Sequence, residues 1–497
     1  LLTHRLKVSI VMVEFTYNEI ENSRPLDVWR WSDFTEINSF VKEIYSEYYA
    51  DQYTRKDAQQ RAKKHLKVLL IDLYVAYVDD PKMTVGIPMS PQAFSKGSRW
   101  RSIHIKSQMI GIVRHAETVG LIEIWKGNES QGRVSRVRPT KKLMKLFKKA
   151  QLEDHYWQLL TSYRPPIVFR QTDKKKNYTP QELTHLSADD MKYLSRSAAI
   201  ITEYNAAIDN SYVDIPDLNT GKIKVSKPKK KLTYVHITQS RKHLHRVFND
   251  LSIDSGGRFY GPFWQGLPEK DRHRLYIDDE PTVEIDYSGL HINLVYASLD
   301  NEERYSGKDP YAISLNQYKL SEENKRTLAK QLMLMALNAS DERAAINAFK
   351  KWLIKEQKNR LGLPDLKDVT IRPIIEALKN KHKHMQNMFF SGAAKGLMAL
   401  DSLILEYIIE ECLKHNVTVL PVHDSIIVQR RYKEYAEQLM EDTYERIIKT
   451  PIGTKTSRNS YGLGSLRPQD YKQKTKRYKA SLWRWKERKA FSHYQKS

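Results

Sequence analysis

The chain has 497 residues, of which 40% are hydrophobic, 29% charged and 10% aromatic, and this balance excludes a disordered chain. The single cysteine excludes a disulfide scaffold and a multi-thiolate metal site, and it fits a reducing compartment such as the cytoplasm. No apolar run reaches the roughly 18–20 residues that a membrane span needs, so no membrane partner is expected. The net charge of +24 favours a polyanionic partner, usually nucleic acid.

The positive charge is concentrated in three segments. Residues 101–150 contain 12 Lys and Arg against 3 acids, and residues 471–497 contain 10 against 1. Residues 222–231 read KIKVSKPKKK, which we interpret as an exposed linker. A single charged run is often a solvated face or a flexible tail. Three such runs in one chain favour polyanion binding.

The first part of the chain combines helical periodicity with one β-hairpin. In chain order the pattern predicts a helix over 61–78, a helix over 106–119, strands over 121–125 and 133–137, and a basic helix over 141–149. Thr140 is the predicted N-cap of the basic helix. This order resembles a winged-helix module, in which Arg133, Arg136 and Arg138 on the wing would contact phosphates. The alternative is a helical subdomain with a basic hairpin.

The second part of the chain alternates helices and strands after the linker at 222–231, which is the expected boundary. The predicted elements are helices over 193–207 and 240–250, a loop at Gly256-Gly257, a strand over 282–285, helices over 322–337 and 393–415, a hairpin centred on His423-Asp424, and a helix over 432–448. Low Gly and Pro content also favours helix. The expected fold class is therefore α+β and helix-rich.

Two aspartates are each predicted to end a buried strand. Val283 and Ile285 alternate before Asp286, and β-branched runs on both sides place Asp424 at the tip of a tight hairpin. Neighbouring aspartates of this kind can hold two Mg²⁺ ions about 3.5–4 Å apart, which stabilise the attacking and leaving oxygens of a phosphoryl displacement. Alone, either aspartate is more often a turn residue or a helix cap.

Between these aspartates lie two cations at helical spacing. Arg326 and Lys330 are four residues apart, so on the predicted helix they share one face. Two like charges on one face repel each other, and a bound triphosphate would relieve that repulsion. A solvated face is the commoner meaning of such a pair, so the pair gains weight only together with the aspartates.

These segments, in this order, resemble motifs A, B and C of the family A DNA polymerases, whose palm is shared by the single-subunit phage-type RNA polymerases. The matching residues are DYSGLH at 286–291, Arg-x-x-x-Lys at 326–330 followed by Asn338, and VHDS at 422–425. Gly257-Arg258 with Gln265 and Pro268 is similar to a primer–template contact segment of that family. Gly392-Ala393-Ala394 is similar to the stretch before motif C. The resemblance covers about a third of the chain.

The resemblance implies a polymerase palm–fingers–thumb core over residues 232–470. Before this core we expect an N-terminal helical region at 1–60, a winged-helix-like module at 61–150 and a helical connector or thumb at 151–231; a basic tail follows at 471–497. The expected cofactor is a pair of Mg²⁺ ions, with Mn²⁺ as the alternative. The expected partners are primer–template DNA, or RNA, and nucleoside triphosphates; no protein partner can be read from the sequence.

The resemblance also assigns roles to individual residues. Asp286 and Asp424 would hold the metals, and Lys330 would also donate a proton to pyrophosphate. The nucleotide site would comprise Arg326, Lys330, His291 below the sugar, Tyr287 beside it, and Asn338. The nucleic-acid contacts would come from Arg258, Gln265 and His423, in addition to the wing arginines.

Three departures leave the sugar specificity open. His291 stands where the DNA polymerases place the Glu that excludes ribose, Asn338 replaces a Tyr, and Ser425 replaces an acid. His-Asp-Ser is the RNA polymerase form, and GGRFY at 256–260 is similar to a segment of those enzymes. We expect a DNA polymerase, because Asp-Tyr-Ser is present and the short chain leaves no room for a promoter-binding region. The alternatives are a single-subunit RNA polymerase or primase, an untemplated nucleotidyltransferase, a two-metal nuclease, or a non-catalytic DNA-binding replication or defence protein.

Overall fold

Hydrophobic side chains divide the molecule into two main cores. The computed structural model describes residues 15–127, 133–171, 173–174, 176–226, 232–299, 309–315, 320–358, 371–456 and 474–494. The first core draws its buried residues from positions 26–160 and the second from positions 167–444. The cores therefore separate between Leu160 and Ile167, well before the linker expected from the sequence. Within the described residues, no helix combines the length and apolar character that crossing a membrane requires.

The first unit packs helices against a small four-stranded sheet. Its elements are α1 (Tyr17–Glu21), β1 (Ser23–Pro25), α2 (Thr35–Tyr48), α3 (Lys56–Asp79), β2 (Thr84–Ile87), α4 (Met109–Thr118), β3 (Ile122–Trp125), β4 (Ser135–Pro139), α5 (Lys141–Lys149) and α6 (Tyr156–Leu160). The strand order is β1-β2-β4-β3, with β1 and β2 parallel and the other pairs antiparallel. Thr140 caps α5 as predicted, since its hydroxyl accepts from the Leu143 N–H at 3.3 Å.

The β3–β4 hairpin is confirmed as secondary structure, and its strand β4 lies inside the four-stranded sheet. Strand β4 pairs with β2 on one side and β3 on the other. Arg133 pairs with Glu21 at 2.7 Å, Arg138 pairs with Glu19 and Glu123, and Arg136 donates to the Ile20 carbonyl at 3.1 Å. These arginines therefore already have acidic residues or a carbonyl inside the unit as partners. Their contact with phosphates stays a prediction.

The second unit contains a four-stranded sheet, a six-stranded sheet and the longest described helices after α3. Its elements are β5 (Ile167–Gln171), β6 (Lys176–Tyr178), α7 (Ala188–Asp209), β7 (Val213–Asp214), β8 (Lys222–Ser226), β9 (Leu232–His236), β10 (His245–Asn249), β11 (Gly256–Tyr260), α8 (Glu269–Arg272), β12 (Tyr276–Ile277), β13 (Glu280–Tyr287), α9 (Leu290–Ala297), α10 (Glu322–Asn338), α11 (Glu342–Lys358), α12 (Ile371–Lys381), α13 (Ala394–Lys414), β14 (Val419–Val422), β15 (Ser425–Gln429), α14 (Lys433–Ile448), β16 (Thr454–Thr456) and α15 (Lys476–Tyr494).

The two sheets of this unit meet around helix α13. One sheet has the order β11-β10-β5-β6, and the other has the order β14-β15-β13-β12-β7 with β16 beside β13. Helix α13 packs against β11, α7, α9 and α14. The predicted helices at 193–207, 322–337, 393–415 and 432–448 and the predicted hairpin at 423–424 are confirmed. The molecule is thus a mixed α+β protein.

Some predictions about local structure are wrong. Residues 245–249 form strand β10 rather than part of a helix over 240–250, because Val247 and Phe248 are buried in a sheet between β5 and β11. The basic linker is in part a hairpin, since β8 pairs antiparallel with β9 and buries Ile223. Residues 227–231 lie outside the described residues. Gly256 and Gly257, predicted as a loop, open β11 with φ of +80° and +73°.

The basic C-terminal segment is docked onto the protein over residues 474–494. Tyr478 on α15 is fully buried and donates its hydroxyl to Asp279 at 2.8 Å. Arg477 pairs with Asp214 at 2.7 Å, and Trp485 packs against Tyr212. Residues 476–494 of the expected basic tail therefore form a docked helix, because its aromatic side chains supply a buried face.

Candidate active site

The two sequence-predicted aspartates lie side by side at one end of the larger sheet. Strands β13 and β15 pair antiparallel with Asp286 opposite Ser425, and the turn His423-Asp424 joins β14 to β15. Asp424 is therefore the chain neighbour of the residue that pairs with Asp286. Both aspartates line a cavity of about 650 Å³. The structure therefore brings the two predicted aspartates to one cavity.

Burial and like charge make the ionised form of Asp286 costly. Burial, followed by the charge of Asp424, raises the pKa of Asp286 to about 6. Lys455 on β16 opposes this shift, with its ammonium 3.2 Å from the Asp286 carboxylate. No sequence motif marks Lys455, because strand β16 is short and reaches β13 only through the tertiary fold. The carboxylate pair is a negative centre that a bound cation would stabilise.

Asp286 and Asp424 suit a Mg²⁺ ion whose coordination is completed by substrate. Mg²⁺ is commonly held by one or two carboxylates together with substrate phosphates and water. Among the described residues, no cluster of three or more His, Cys, Asp or Glu is arranged to hold a metal by itself. Asp286 and Asp424 supply hard oxygen donors facing an open cavity large enough for a substrate. These two residues fit the expected ion when a phosphate-bearing substrate completes its coordination.

The predicted cation pair reaches the same cavity from helix α10. Arg326 and Lys330 both line it, whereas Leu328 and Leu332 are fully buried on other faces of the helix. Arg326 donates to Asp309 at 2.6 Å. In the described part of the chain Lys330 has no ion-pair partner. The structure therefore brings two carboxylates and two cations of the sequence prediction to one cavity.

A buried carboxylate organises the opposite side of this cavity. Asp401 on α13 is 2% exposed and accepts from the Arg258 Nε at 3.2 Å. Its Oδ2 lies 3.1 Å from the His291 Nε2, and Arg258 also lies beside that nitrogen. The sequence motifs do not include Asp401. Apolar residues on both sides of Asp401 in α13 are a usable signal, because a buried charge needs a partner.

His423 lies between the carboxylates and β11 in a constrained turn. Its φ is +56°, a conformation that costs a non-glycine residue strain. Burial, followed by the charge of Arg258, lowers the pKa of His423, so the ring stays neutral at pH 7. Its Nδ1 has no hydrogen-bond partner among the described residues. An unsatisfied ring nitrogen at the edge of the cavity is available to a ligand.

Three predicted residues donate their side-chain hydrogen bonds to carbonyls of the protein. Tyr287 alternates away from Asp286 on β13, donates its hydroxyl to the Met440 carbonyl at 2.6 Å and lies in the core. Tyr287 nevertheless lines the carboxylate cavity, so its place beside the sugar stays a prediction. Asn338 is exposed at the end of α10 and donates to the Leu334 carbonyl, outside the cavity lining. Gln265 donates to the carbonyls of Phe259 and Pro421 and is also outside the lining.

Comparison with known proteins gives little support to any one assignment. No protein-family model and no curated protein matches the chain. Among solved structures, the chain is similar to the POL domain of Pol1 from M. smegmatis in complex with DNA primer-template and dNTP. The match has 11% sequence identity, covers 88% of this chain and 67% of that one, and has a TM-score of 0.24. A TM-score this low supports no conclusion, so a functional assignment has to rest on the geometry of the site.

Proposed function

We propose that the protein is a metal-dependent nucleotidyltransferase that adds deoxynucleotides to the end of a nucleic-acid primer. The observation that carries this proposal is the convergence of two adjacent carboxylates, Asp286 and Asp424, with Arg326 and Lys330 on one cavity. A two-metal nuclease would need the carboxylates but not two helix-borne cations. A binding scaffold would need neither group.

The proposed roles follow from the charges of the four side chains. Asp286 and Asp424 would hold Mg²⁺, or Mn²⁺, which when bound would neutralise charge on the reacting phosphate. Arg326 and Lys330 would bind the incoming triphosphate, and Lys330 would give its proton to the departing pyrophosphate. Arg326 is already oriented by Asp309, so little ordering remains when substrate binds. The rate enhancement would come mainly from positioning and charge neutralisation.

The sugar and the primer terminus would lie on the side of His291 and Arg258. Asp401 hydrogen-bonds to both side chains. The sequence resemblance to family A implies that His291 would lie below the sugar and Arg258 against the primer–template. The assignment to palm, fingers and thumb is part of the same proposal. In it the sheet of β13, β14 and β15 with α13 forms the palm, and α10–α12 form the fingers. Helix α7 shares the second core and would belong to the thumb.

Primer extension tests this function and separates it from its rivals. Labelled primer would be incubated with Mg²⁺ and either dNTPs or NTPs, with and without template, using the wild-type protein and Asp424→Asn. We expect template-dependent extension with dNTPs by the wild-type protein only. Extension with NTPs alone would favour the RNA polymerase alternative, and primer shortening without extension would favour the nuclease. Oligonucleotide binding with neither reaction would overturn the enzyme assignment.

A further inference from the structure

A second cavity of about 690 Å³ lies between the two units, away from the carboxylates. Its walls come from the loop before α4, from strands β5, β6 and β10, and from the residues around β1. Seven cations line it against one carboxylate, that of Glu182; the cations are Lys96, Arg99, Arg101, Lys106, Arg164, Arg170 and Arg241. They come from separate segments of the chain, so the tertiary fold concentrates this charge.

Most of these cations have no acidic partner. Of the seven, Lys96 alone forms an ion pair with a described residue, a loose one of 3.8 Å to Glu182. Arg164, Arg170 and Arg241 are exposed to solvent at the cavity wall. Burial, followed by the charges of Arg164 and Arg170, lowers the pKa of the neighbouring His245 to about 3. Asp27, outside the lining, attracts Arg164 and Arg241 and offsets part of this charge. The cavity keeps an excess of positive charge, a property expected of an anion site rather than of a structural contact.

Aromatic rings line the same cavity. Trp29, Trp100 and Tyr178 are among its walls, and the Arg99 guanidinium lies 4.7 Å from the Trp100 ring centroid. Planar rings beside unpaired arginines are the combination that binds single-stranded nucleic acid, because bases stack on the rings while phosphates meet the cations. A single inorganic phosphate carries too little charge to neutralise seven cations.

A path of rings joins this cavity to the carboxylate cavity. His245, at the wall of the basic cavity, lies 6.5 Å from the ring of Tyr260, and Tyr260 lies 5.7 Å from His423. His423 in turn lines the carboxylate cavity. Tyr260 is 37% exposed, so its ring is accessible along this path. The two cavities are thus connected by a short series of three rings, of which Tyr260 is the exposed one.

We infer that the basic cavity holds the unpaired part of a nucleic-acid strand that continues from the carboxylate cavity across Tyr260. The ring path and the unpaired arginines carry this inference. That the strand is a substrate rests on the proposed function, but its binding does not require catalysis. The distribution of charge along the sequence alone would instead predict that the lysines of α5 bind the strand, and these lysines lie outside this cavity.

Two variants with the same loss of charge separate these surfaces. The first replaces Arg164, Arg170 and Arg241 by Ala, and the matched control replaces the exposed Lys145, Lys148 and Lys149 of α5 by Ala. Fluorescence anisotropy in EDTA would measure the affinity of the full-length proteins for labelled single strands of about 4–16 nucleotides. Each phosphate contact on a single strand contributes about −0.7 to the slope of log affinity against log salt. We expect the cavity variant to flatten this slope by about 2 and to weaken binding about tenfold or more, with little change in the α5 variant.

The inference would be overturned if the α5 variant lost more oligonucleotide affinity than the cavity variant. It would also be overturned by an unchanged salt slope in a cavity variant that melts at the wild-type temperature. Competition by inorganic pyrophosphate with no dependence on strand length would reassign the cavity to a small anion. If the arginine variant does not fold, acetylation of the wild-type protein serves instead. A bound oligonucleotide should protect Lys96 and Lys106 but not Lys148 and Lys149, and absence of that protection would contradict the inference. Loss of affinity in the cavity variant without any primer extension by wild type would retain the inference and remove the proposed function.

Discussion

The two cavities are similar in size but opposite in how their charges are arranged. In the carboxylate cavity most cations face an acid, as in the pairs Arg326–Asp309 and Lys455–Asp286. In the basic cavity Arg164, Arg170 and Arg241 face solvent and one another, with no ion pair among the described residues. Paired cations are held in fixed positions, whereas unpaired cations supply attraction without fixing a ligand's position.

This difference indicates a division of labour along one surface. Chemistry at a phosphate requires groups fixed to within a fraction of an ångström, and ion pairs with buried or half-buried acids provide that order. Retention of a strand requires charge that stays uncompensated until phosphates arrive. Variants of the carboxylate cavity should therefore impair the reaction more than binding, and variants of the basic cavity should do the reverse.

The largest expected effect comes from neutralising either carboxylate. Asp286→Asn and Asp424→Asn should each abolish nucleotide transfer, because each removes a metal-binding charge worth several kcal/mol in the barrier, or roughly 1,000-fold in rate. Oligonucleotide affinity measured by anisotropy should stay within about twofold of wild type, since the basic cavity is unchanged. Near-wild-type turnover in either variant, with folding confirmed by circular dichroism, would remove the assignment.

A smaller effect is expected on helix α10. Lys330→Ala and Arg326→Ala should each lower kcat/KM for the triphosphate roughly 10- to 100-fold, since a charge-assisted phosphate contact is worth about 1.5–3 kcal/mol. Lys325→Ala is the matched control, because it removes the same charge from the same helix but pairs with Glu322 outside the cavity. Steady-state kinetics with varied dNTP would show the difference. A collapse of duplex affinity with unchanged triphosphate efficiency would make the pair a duplex contact.

The sequence predicts the residues of the carboxylate cavity and misses the basic cavity for a physical reason. Asp286, Asp424 and the Arg326–Lys330 pair belong to contiguous segments whose alternation or helical spacing fixes where each side chain points. The basic cavity draws Lys106, Arg164 and Arg241 from distant segments. No local pattern brings such residues together, so only the tertiary fold reveals them.

The errors of local structure have equally specific causes. Strand β10 is mistaken for helix because short apolar stretches do not distinguish the two states. The charge of the α15 segment suggests a tail, although Tyr478 and Trp485 provide a buried face.

The charge of the carboxylate pair also predicts a pH dependence of stability. The pKa of Asp286 is about 6 in the folded protein against 3.8 for an ordinary Asp, so between these pH values the folded state keeps a proton that the unfolded state has lost. Stability therefore falls as pH rises through this window and stays lower above it. Asp286→Asn should stabilise this partly exposed site by about 1 kcal/mol at pH 8 in EDTA, which raises the Tm, and should have little effect below about pH 4.

Thermal melts across this pH range, with and without Mg²⁺, test whether repulsion between the two carboxylates destabilises the protein. Mg²⁺ should raise the Tm of the wild-type protein at pH 8, because it replaces the missing countercharge. The Asn variant should respond much less. Equal responses to Mg²⁺ in both proteins would show that the ion binds elsewhere, and a lower Tm of the variant at pH 8 would contradict the repulsion between the two carboxylates.

The smallest expected effect concerns the choice of sugar at His291. The hydrogen bond to Asp401 at 3.1 Å occupies the Nε2 of this ring and fixes its position, so the ring is less able to accept a 2′-hydroxyl and acts mainly through its bulk. We expect the protein to prefer deoxynucleotides and His291→Ala to reduce this preference several-fold. His291→Phe keeps the bulk of the ring and should therefore keep the preference. Loss of one hydrogen bond costs about 0.5–1.5 kcal/mol, which corresponds to roughly tenfold at most. A change in the sugar preference much above tenfold would therefore show that His291 does more than crowd the 2′ position. The ratio of kcat/KM for matched deoxy- and ribonucleotides measures this preference. A wild-type preference for ribonucleotides would overturn the DNA assignment, because a fixed ring that crowded the 2′ position could not produce it.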